Sequence, residues 1–424
     1  VFNYVTIEFP NTRSKPQRVR SFSLSQKRYA HELTTVSFRD WDLQYAQLMP
    51  GDPVKCELIG NGFKKTFVGY IHDVSTRLSP GSRFVELTII GASYQLKQAK
   101  QRVFENTTAS KVARLIAAEH GFQCYVDDHP RVYPQIVQAG ITDLQLLSRL
   151  AKQCGFTFRV ENTTLHFKSM TKDFEENREN APHFDMREAN NPSGSTLYEF
   201  NLLVGESNVF GDAYKSAVQF GGVNPTNSSG FIVTNVKQPT TLRTHFTTEF
   251  FDSFATDTVI PDQKTAALEA AAADERNRFA YRANVKVLGT ADLRPDMPIY
   301  LDGLGKDYSG YWIVIAATHH VVETNPNVFT YTTYLTVGAD SIGNANVFKG
   351  RKVSRPNAVR VRNLKPRVKN VAHNGASVYV SPPIVIDGTN RKNNFSVSHN
   401  RPNAGGSITK TGKWRSSNPG GWKF

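Results

Sequence analysis

The sequence predicts a β-rich α+β protein with two related tube-like β-barrel domains, a small α+β insert between them and an extended basic C-terminal tail. Three observations predict it. Short strands alternating apolar and polar residues, punctuated by Gly and Pro, fill the first hundred residues. The same punctuation returns near residue 290, and past about residue 345 apolar periodicity stops.

In the first region, Tyr4-Val5-Thr6-Ile7-Glu8-Phe9 and Ser21-Phe22-Ser23-Leu24 carry the period of half-buried strands. Residues 53–58, 66–71 and 84–90 continue the meander, with turns at Gly60-Asn61-Gly62 and Pro80-Gly81. The second region echoes this order. Leu48-Met49-Pro50-Gly51-Asp52-Pro53-Val54 matches Leu293-Arg294-Pro295-Asp296-Met297-Pro298-Ile299. Gly60-x-Gly62 matches Gly303-x-Gly305, Gly69-Tyr70-Ile71 matches Gly310-Tyr311-Trp312, and Gly91-Ala92 matches Gly338-Ala339. Four matches in one order argue for duplication.

Between the copies the period changes to 3.6. Thr107 and Thr108 are capping candidates for a helix carrying Val112, Leu115, Ile116 and Glu119 that stops at Gly121. Thr142 caps a second, with Leu144, Leu147, Leu150 and Ala151, that stops at Gly155. Each Gly-Phe step enters a strand, giving an insert with internal repetition. Farther on, residues 200–204 and 214–218 read as strands and Thr265 to Arg282 as an alanine-rich helix. The expected divisions are 1–100 for the first barrel, 101–170 for the insert and 171–284 for a mixed β segment with that helix. The second barrel segment takes 285–342 and the tail 343–424.

The net charge of +14 is not spread over the chain. From Lys349 to Phe424 stand sixteen Lys and Arg against Asp387 alone, leaving 35 basic and 36 acidic residues before it. The body is therefore neutral and is expected to fold without the tail. The tail's Asn-, Gly-, Ser- and Pro-rich composition cannot bury enough apolar surface to fold alone, so neighbours in an assembly are expected to order it. Val359-Arg360-Val361-Arg362 and Ser377-Val378-Tyr379-Val380 alternate like strands added to a neighbour's sheet edge, which favours protein over DNA as the compensating surface. The residues expected to bind that partner are Arg360, Arg362, Lys365, Arg367 and Lys369.

No apolar run reaches about 18 residues, so no membrane span is expected, and the opening residues lack the pattern of a secretory signal. Cys56, Cys124 and Cys154 form no C-x-x-C pair and read as free thiols, without a zinc site or a disulfide framework. Catalytic motifs fail one by one. His31-Glu32 lacks the second helical His of a zincin, because position 35 is Thr. Gly303-x-Gly305-Lys306 lacks the spacing of a phosphate-binding loop and reads as a turn. His319 and His320 are adjacent on a strand, so their rings face opposite sides and cannot share one metal. Asp127-Asp128-His129 precedes Pro130 and Pro134 and reads as a solvated loop. No catalytic, cofactor or metal residue is assigned, and the chain is not expected to be an enzyme.

Three segments carry a family resemblance. They are Gly91-Ala92-Ser93-Tyr94-Gln95-Leu96, the stretch from Asp143-Leu144 to Gly155-Phe156, and Leu293-Arg294-Pro295 with residues 310–314 and His319-His320. Over roughly residues 1–340 the chain resembles the bacteriophage baseplate hub family, which includes contractile-phage hubs, late-control D proteins, siphophage tail-tip hubs and the base of type VI secretion spikes. It departs from some members in lacking an appended lysozyme or peptidase domain, an oligosaccharide-binding barrel and a β-helical spike. The resemblance implies a structural homotrimer in which three copies of two barrels present six to the six-fold tail tube around the DNA channel. The partners it implies are tube or distal tail proteins above, a tip or spike protein below, and the tape-measure protein. DNA passes without sequence-specific contact, and assembly is expected in the host cytoplasm. Three other readings remain open. They are a tip-associated peptidoglycan hydrolase, a cell-wall-binding module (the insert's helix-strand repeats resemble the LysM fold) and a nucleic-acid binder.

Overall fold

A computed structural model describes residues 4–11, 16, 19–40, 45, 47–80, 82–187, 194–203, 217–223, 230–236, 263–276, 279, 281–326, 328–339, 359–364, 384–385, 394–395, 406–408 and 414–416. The first unit consists of β1 (Val5–Glu8), β2 (Val19–Lys27), β3 (Leu33–Arg39), β4 (Pro53–Gly60), β5 (Phe63–Ser79) and β6 (Ser82–Gly91). They hydrogen-bond in the order β1-β4-β5-β6-β3-β2, and β1 also touches β2 at the far end of that order. The inward side chains of all six strands meet in one core, among them Ile7, Phe22, Phe38, Val54, Phe67 and Leu87, so the sheet is curled. Asn61 and Gly62, between the paired residues Gly60 and Phe63, both have positive φ, the geometry of the tightest hairpin turn.

The insert holds β7 (Ala99–Thr108), α1 (Ala109–Glu119), β8 (Gln123–Val126), β9 (Val132–Thr142), α2 (Asp143–Cys154), β10 (Phe156–Glu161) and β11 (Thr164–Ser169). Thr108 caps α1 by accepting from Lys111 N, and Thr142 forms a reciprocal capping box with Gln145 on α2. Both helices bury an apolar face in a core of their own with Phe158 and Phe167. His129 does not lie in a solvated loop. It is buried, with its ring edge-on to Phe156, because Ser110 Oγ accepts its backbone N–H and ties the loop to α1.

The second unit follows α3 (Met170–Asn177) and comprises β12 (His183–Asp185), β13 (Leu197–Leu203), β16 (Tyr281–Leu288), β17 (Pro298–Asp302), β18 (Gly310–Asn325) and β19 (Val328–Ala339) around a third core. Between them come β14 (Ala217–Val223), β15 (Gly230–Val236) and α4 (Gln263–Arg276). The expected helix through Arg282 ends six residues earlier, since Tyr281 already begins β16 and its alternating burial, a strand period that the alanine-rich run before it conceals. Among the described residues no helix is long and apolar enough to cross a membrane.

The duplication extends to single hydrogen bonds. The ladder β4-β5-β6-β3-β2 is repeated in the same order as β17-β18-β19-β16-β13. Gly51 N donates to Ile71 O at 2.7 Å and Ile71 N to Asp52 O at 2.9 Å. In the second copy Asp296 N donates to Val314 O at 2.8 Å and Val314 N to Met297 O at 2.9 Å. A bulge follows at the same place in each, between Ile71 and Asp73 and between Val314 and Ala316. Ile71 therefore corresponds to Val314, which moves the Gly-Tyr match by two residues and makes Gly91 the counterpart of Ala339. Matching bulges between Val19 and Ser21 and between Leu197 and Glu199 fix Phe22 to Phe200 and Leu24 to Leu202.

Candidate assembly interface

The two units join edge to edge. The second half of β18, Ala316 to Val322, runs antiparallel to β2, pairing Val321 with Phe22 and His319 with Leu24. The inward face of this seam is buried: Phe22, Leu24 and His319 are inaccessible or nearly so, and Val321 is 3% exposed. His319 hydrogen-bonds through Nδ1 to the Tyr331 hydroxyl (2.9 Å) and through Nε2 to Leu293 O (3.0 Å). Burial holds its pKa down to about 3, so the neutral ring donates from Nε2. His320, one residue on, is only partly buried, as strand alternation requires. Tyr331 lies against Gly60 of one unit and Gly289 of the other, where a Cβ on either glycine would overlap its ring.

Charged side chains from all three cores meet behind the seam. Arg28 Nε donates to Asp296 Oδ1 at 2.5 Å, and Thr157 Oγ1 donates to Asp296 Oδ2 at 2.8 Å. Lys65 Nζ donates to Gln26 Oε1 at 2.6 Å and stands 3.5 Å from Glu161, which also accepts from Arg159 at 2.6 Å. Burial opposes ionisation of Glu161, yet Lys65, Arg159 and Arg294 outweigh it and hold the carboxyl down to about 2. Glu32, which accepts from Gln26, is pushed by burial up to about 7 against the pull of Lys65. This network locks barrel, insert and barrel in one arrangement, since an unpaired charge in so dry a place is costly.

The seam has an unoccupied twin. By the duplication, the outer half of β5 corresponds to the outer half of β18, and β13 corresponds to β2. Asp73 to Leu78 is paired to β6 on one side and has no ladder partner on the other among the described residues. Among the described residues Glu199 to Leu202 is paired to β16 alone. Leu78, counterpart of the buried Val321, is 59% exposed. Phe200 and Leu202, counterparts of buried Phe22 and Leu24, are only partly covered by the second core. The two strands that correspond to the seam pair thus lie on two different edges, each without a further ladder partner among the described residues.

Among the described residues one cluster has ligand atoms close enough for a metal, Glu119, His120 and Asp143. Lys100 and Arg102 already bind both carboxylates, at 2.5–3.1 Å, and His120 Nε2 lies 2.9 Å from Asp143. Although burial opposes it, Lys100, His120, Gln138 and Arg102 hold Asp143 below the ordinary carboxylate range. Two resident cations make this an ion-pair network between β7 and the two helices, not a vacant ligand set.

Of the residues expected to bind a partner, Arg360 and Arg362 lie on β20 (Val359–Leu364), which runs antiparallel to β15 with Arg360 opposite Thr234 and Arg362 opposite Ile232. The edge this strand was expected to find on a neighbour is instead β15 of this same chain. Lys365, Arg367 and Lys369, like residues 377–380, lie outside the described residues. Sequence reasoning missed the twin edges and the buried charges. The Phe-x-Leu shared by Phe22-Ser23-Leu24 and Phe200-Asn201-Leu202 was the available signal for the first.

The sequence model of the phage tail baseplate hub (GPD) family matches residues 23–325, more than half of the chain. The chain belongs to that family. Hub proteins of this family are structural parts of the phage tail, which makes this chain a component of a virion tail. Solved structures agree on the hub fold. A tail protein from Neisseria meningitidis MC58 superposes with a TM-score of 0.56 at 14% identity, covering 81% of this chain and 98% of its own. A 43 kDa tail protein of prophage MuSo2 from Shewanella oneidensis gives 0.56 at 12%, covering 79% and 97%. A type VI secretion component of E. coli, described as similar to the T4 tail proteins gp27 and gp5, gives 0.51 at 12%, covering 82% and 79%. A search of curated proteins found no match.

Proposed function

We propose that the hub closes into a homotrimeric ring by repeating its internal seam between copies, with β13 of one chain laid antiparallel on the outer half of β5 of the next. The single observation that carries this is the exposed twin of the seam. Transferring the register of β2 and β18 sets Leu78 opposite Phe200, Arg77 opposite Asn201 and Thr76 opposite Leu202 of the neighbour. Such a contact is head-to-tail, so it closes only as a ring or continues as a filament. Three copies carry six equivalent units, the number that joins a six-fold tube above to a three-fold tip below, with the DNA channel inside.

The ring works through interfaces and performs no catalysis. Its partners are tube or distal tail proteins above, a tip or spike protein below and the tape-measure protein, with assembly in the host cytoplasm. The chain divides into 1–100, 101–170, 171–284, 285–342 and the tail 343–424, and Arg360, Arg362, Lys365, Arg367 and Lys369 hold acidic surfaces of adjacent tip proteins. Native mass spectrometry of the purified full chain and of Leu78→Glu tests the ring. The wild type is expected at three chain masses and the variant at one that is still folded by circular dichroism, because Leu78 is exposed in the single chain. A variant that remains trimeric removes this interface.

A further inference from the structure

At one end of the seam, where Lys27 pairs with Ala316, lies a groove of about 380 Å³. Its lining brings Lys27, Arg28, Lys152 and Arg282 together and includes no carboxylate among the described residues. Met170, Phe279 and Ile315 supply an apolar floor. Arg28 is the informative member. Its side chain is nine-tenths buried and its Nε is spent on Asp296, yet its Nη2 is buried with no hydrogen-bond partner. A buried guanidinium N–H without an acceptor is a rare and costly state, and a negative charge bound nearby would stabilise it.

We propose that this groove binds a short acidic, partly apolar segment of a partner protein of the tail tip. A Glu or Asp carboxylate is held by the exposed Lys27, Lys152 and Arg282, with the buried Arg28 guanidinium adding positive field beneath it. The charge pattern excludes this chain's own C-terminal tail, whose sixteen basic residues against one acid would be repelled. The apolar floor favours a peptide over a free inorganic anion, because a hydrated phosphate gains nothing from Met170, Phe279 or Ile315. The inference is independent of the ring, since the groove lies within a single chain.

The test is fluorescence anisotropy of the full chain with a fluorescein-labelled hexapeptide alternating glutamate and leucine. Its partner probe replaces each glutamate by glutamine. The glutamate peptide is expected to bind at least ten-fold more tightly than the glutamine peptide. Lys27→Glu/Arg282→Glu, which alters exposed rim residues and leaves the Arg28 pair intact, is expected to weaken it at least ten-fold with an unchanged melting temperature. Equal binding of the two peptides, or no binding at millimolar concentration, overturns the proposal. Full displacement by millimolar inorganic phosphate would also overturn it, showing a simple anion site instead of a peptide groove.

Discussion

Asp296 and Gly51 occupy the same position in the two copies of one turn, and both have positive φ, 73° and 97°. At Gly51 an added Cβ would meet nothing. At Asp296 the same backbone carries a carboxylate that reaches Arg28 at 2.5 Å and Thr157 at 2.8 Å. Asp tolerates the left-handed region better than most residues, so the second copy could take on a side chain there without losing the turn. That carboxylate adds to the β2–β18 ladder an ionic tie from the second barrel to Arg28 of the first and a hydrogen bond to Thr157 of the insert.

Asp296→Ala is expected to destabilise the chain by about 3–5 kcal/mol, because it leaves Arg28 uncompensated in a dry site, while Arg159 keeps Glu161. Denaturant unfolding of the full chain measures it. A loss under about 1 kcal/mol, the size of an exposed pair, would show the junction to be solvated.

Glu32 gives the junction a pH signature. Unfolded, it releases its proton near 4.5; folded, near 7. The stability tied to its protonated form is whole below about pH 4.5 and is lost as pH rises through 7. Glu32→Gln removes this loss, so the variant should gain on the wild type between pH 4.5 and 8 by at most about 3 kcal/mol. Parallel stability profiles for the two proteins would contradict the assignment.

Gly60→Ala should spread the seam. The new Cβ would overlap the Tyr331 ring and lie 2.7 Å from Gly289 O, and backbone cannot swing aside as a side chain can. A cost of roughly 1–3 kcal/mol is expected from overpacking. Adding Tyr331→Leu to Gly60→Ala should recover part of it, whereas additive losses would mean that the two residues do not share the contact.

Replacing Arg360, Arg362, Lys365, Arg367 and Lys369 together by Gln should impair tip assembly, or cost a tip component, before any DNA is present. Electron microscopy and composition of DNA-free tails measure this. Normal tips with altered ejection alone would assign the basic segment to DNA.

Much of the fold was legible because it is written in local chemistry. Thr108 and Thr142 announced the helix starts, Asn61-Gly62 the hairpin, and the shared Pro-rich turns the duplication. The offset in that duplication was not legible, because it depends on bulges at His72 and Ile315 that only the ladder reveals. Arg28, Lys65, Arg159 and Asp296 are scattered over most of the chain, so their meeting depends on how the three cores dock. The interface was hidden for a related reason. Val321 and Leu78 look alike in sequence, and only the fold shows one buried and its counterpart at 59% exposure.

Cysteine cross-linking of Arg77→Cys with Asn201→Cys tests the ring most directly. The transferred register sets these residues opposite each other across neighbouring chains, within the Cα separation a disulfide spans. On a non-reducing denaturing gel the oxidised double variant should give bands at two and three chain masses and none above, while each single variant, which still carries the exposed Cys124, should stay at one. No cross-linked product, or a ladder extending beyond three, would contradict a closed trimer built on this seam.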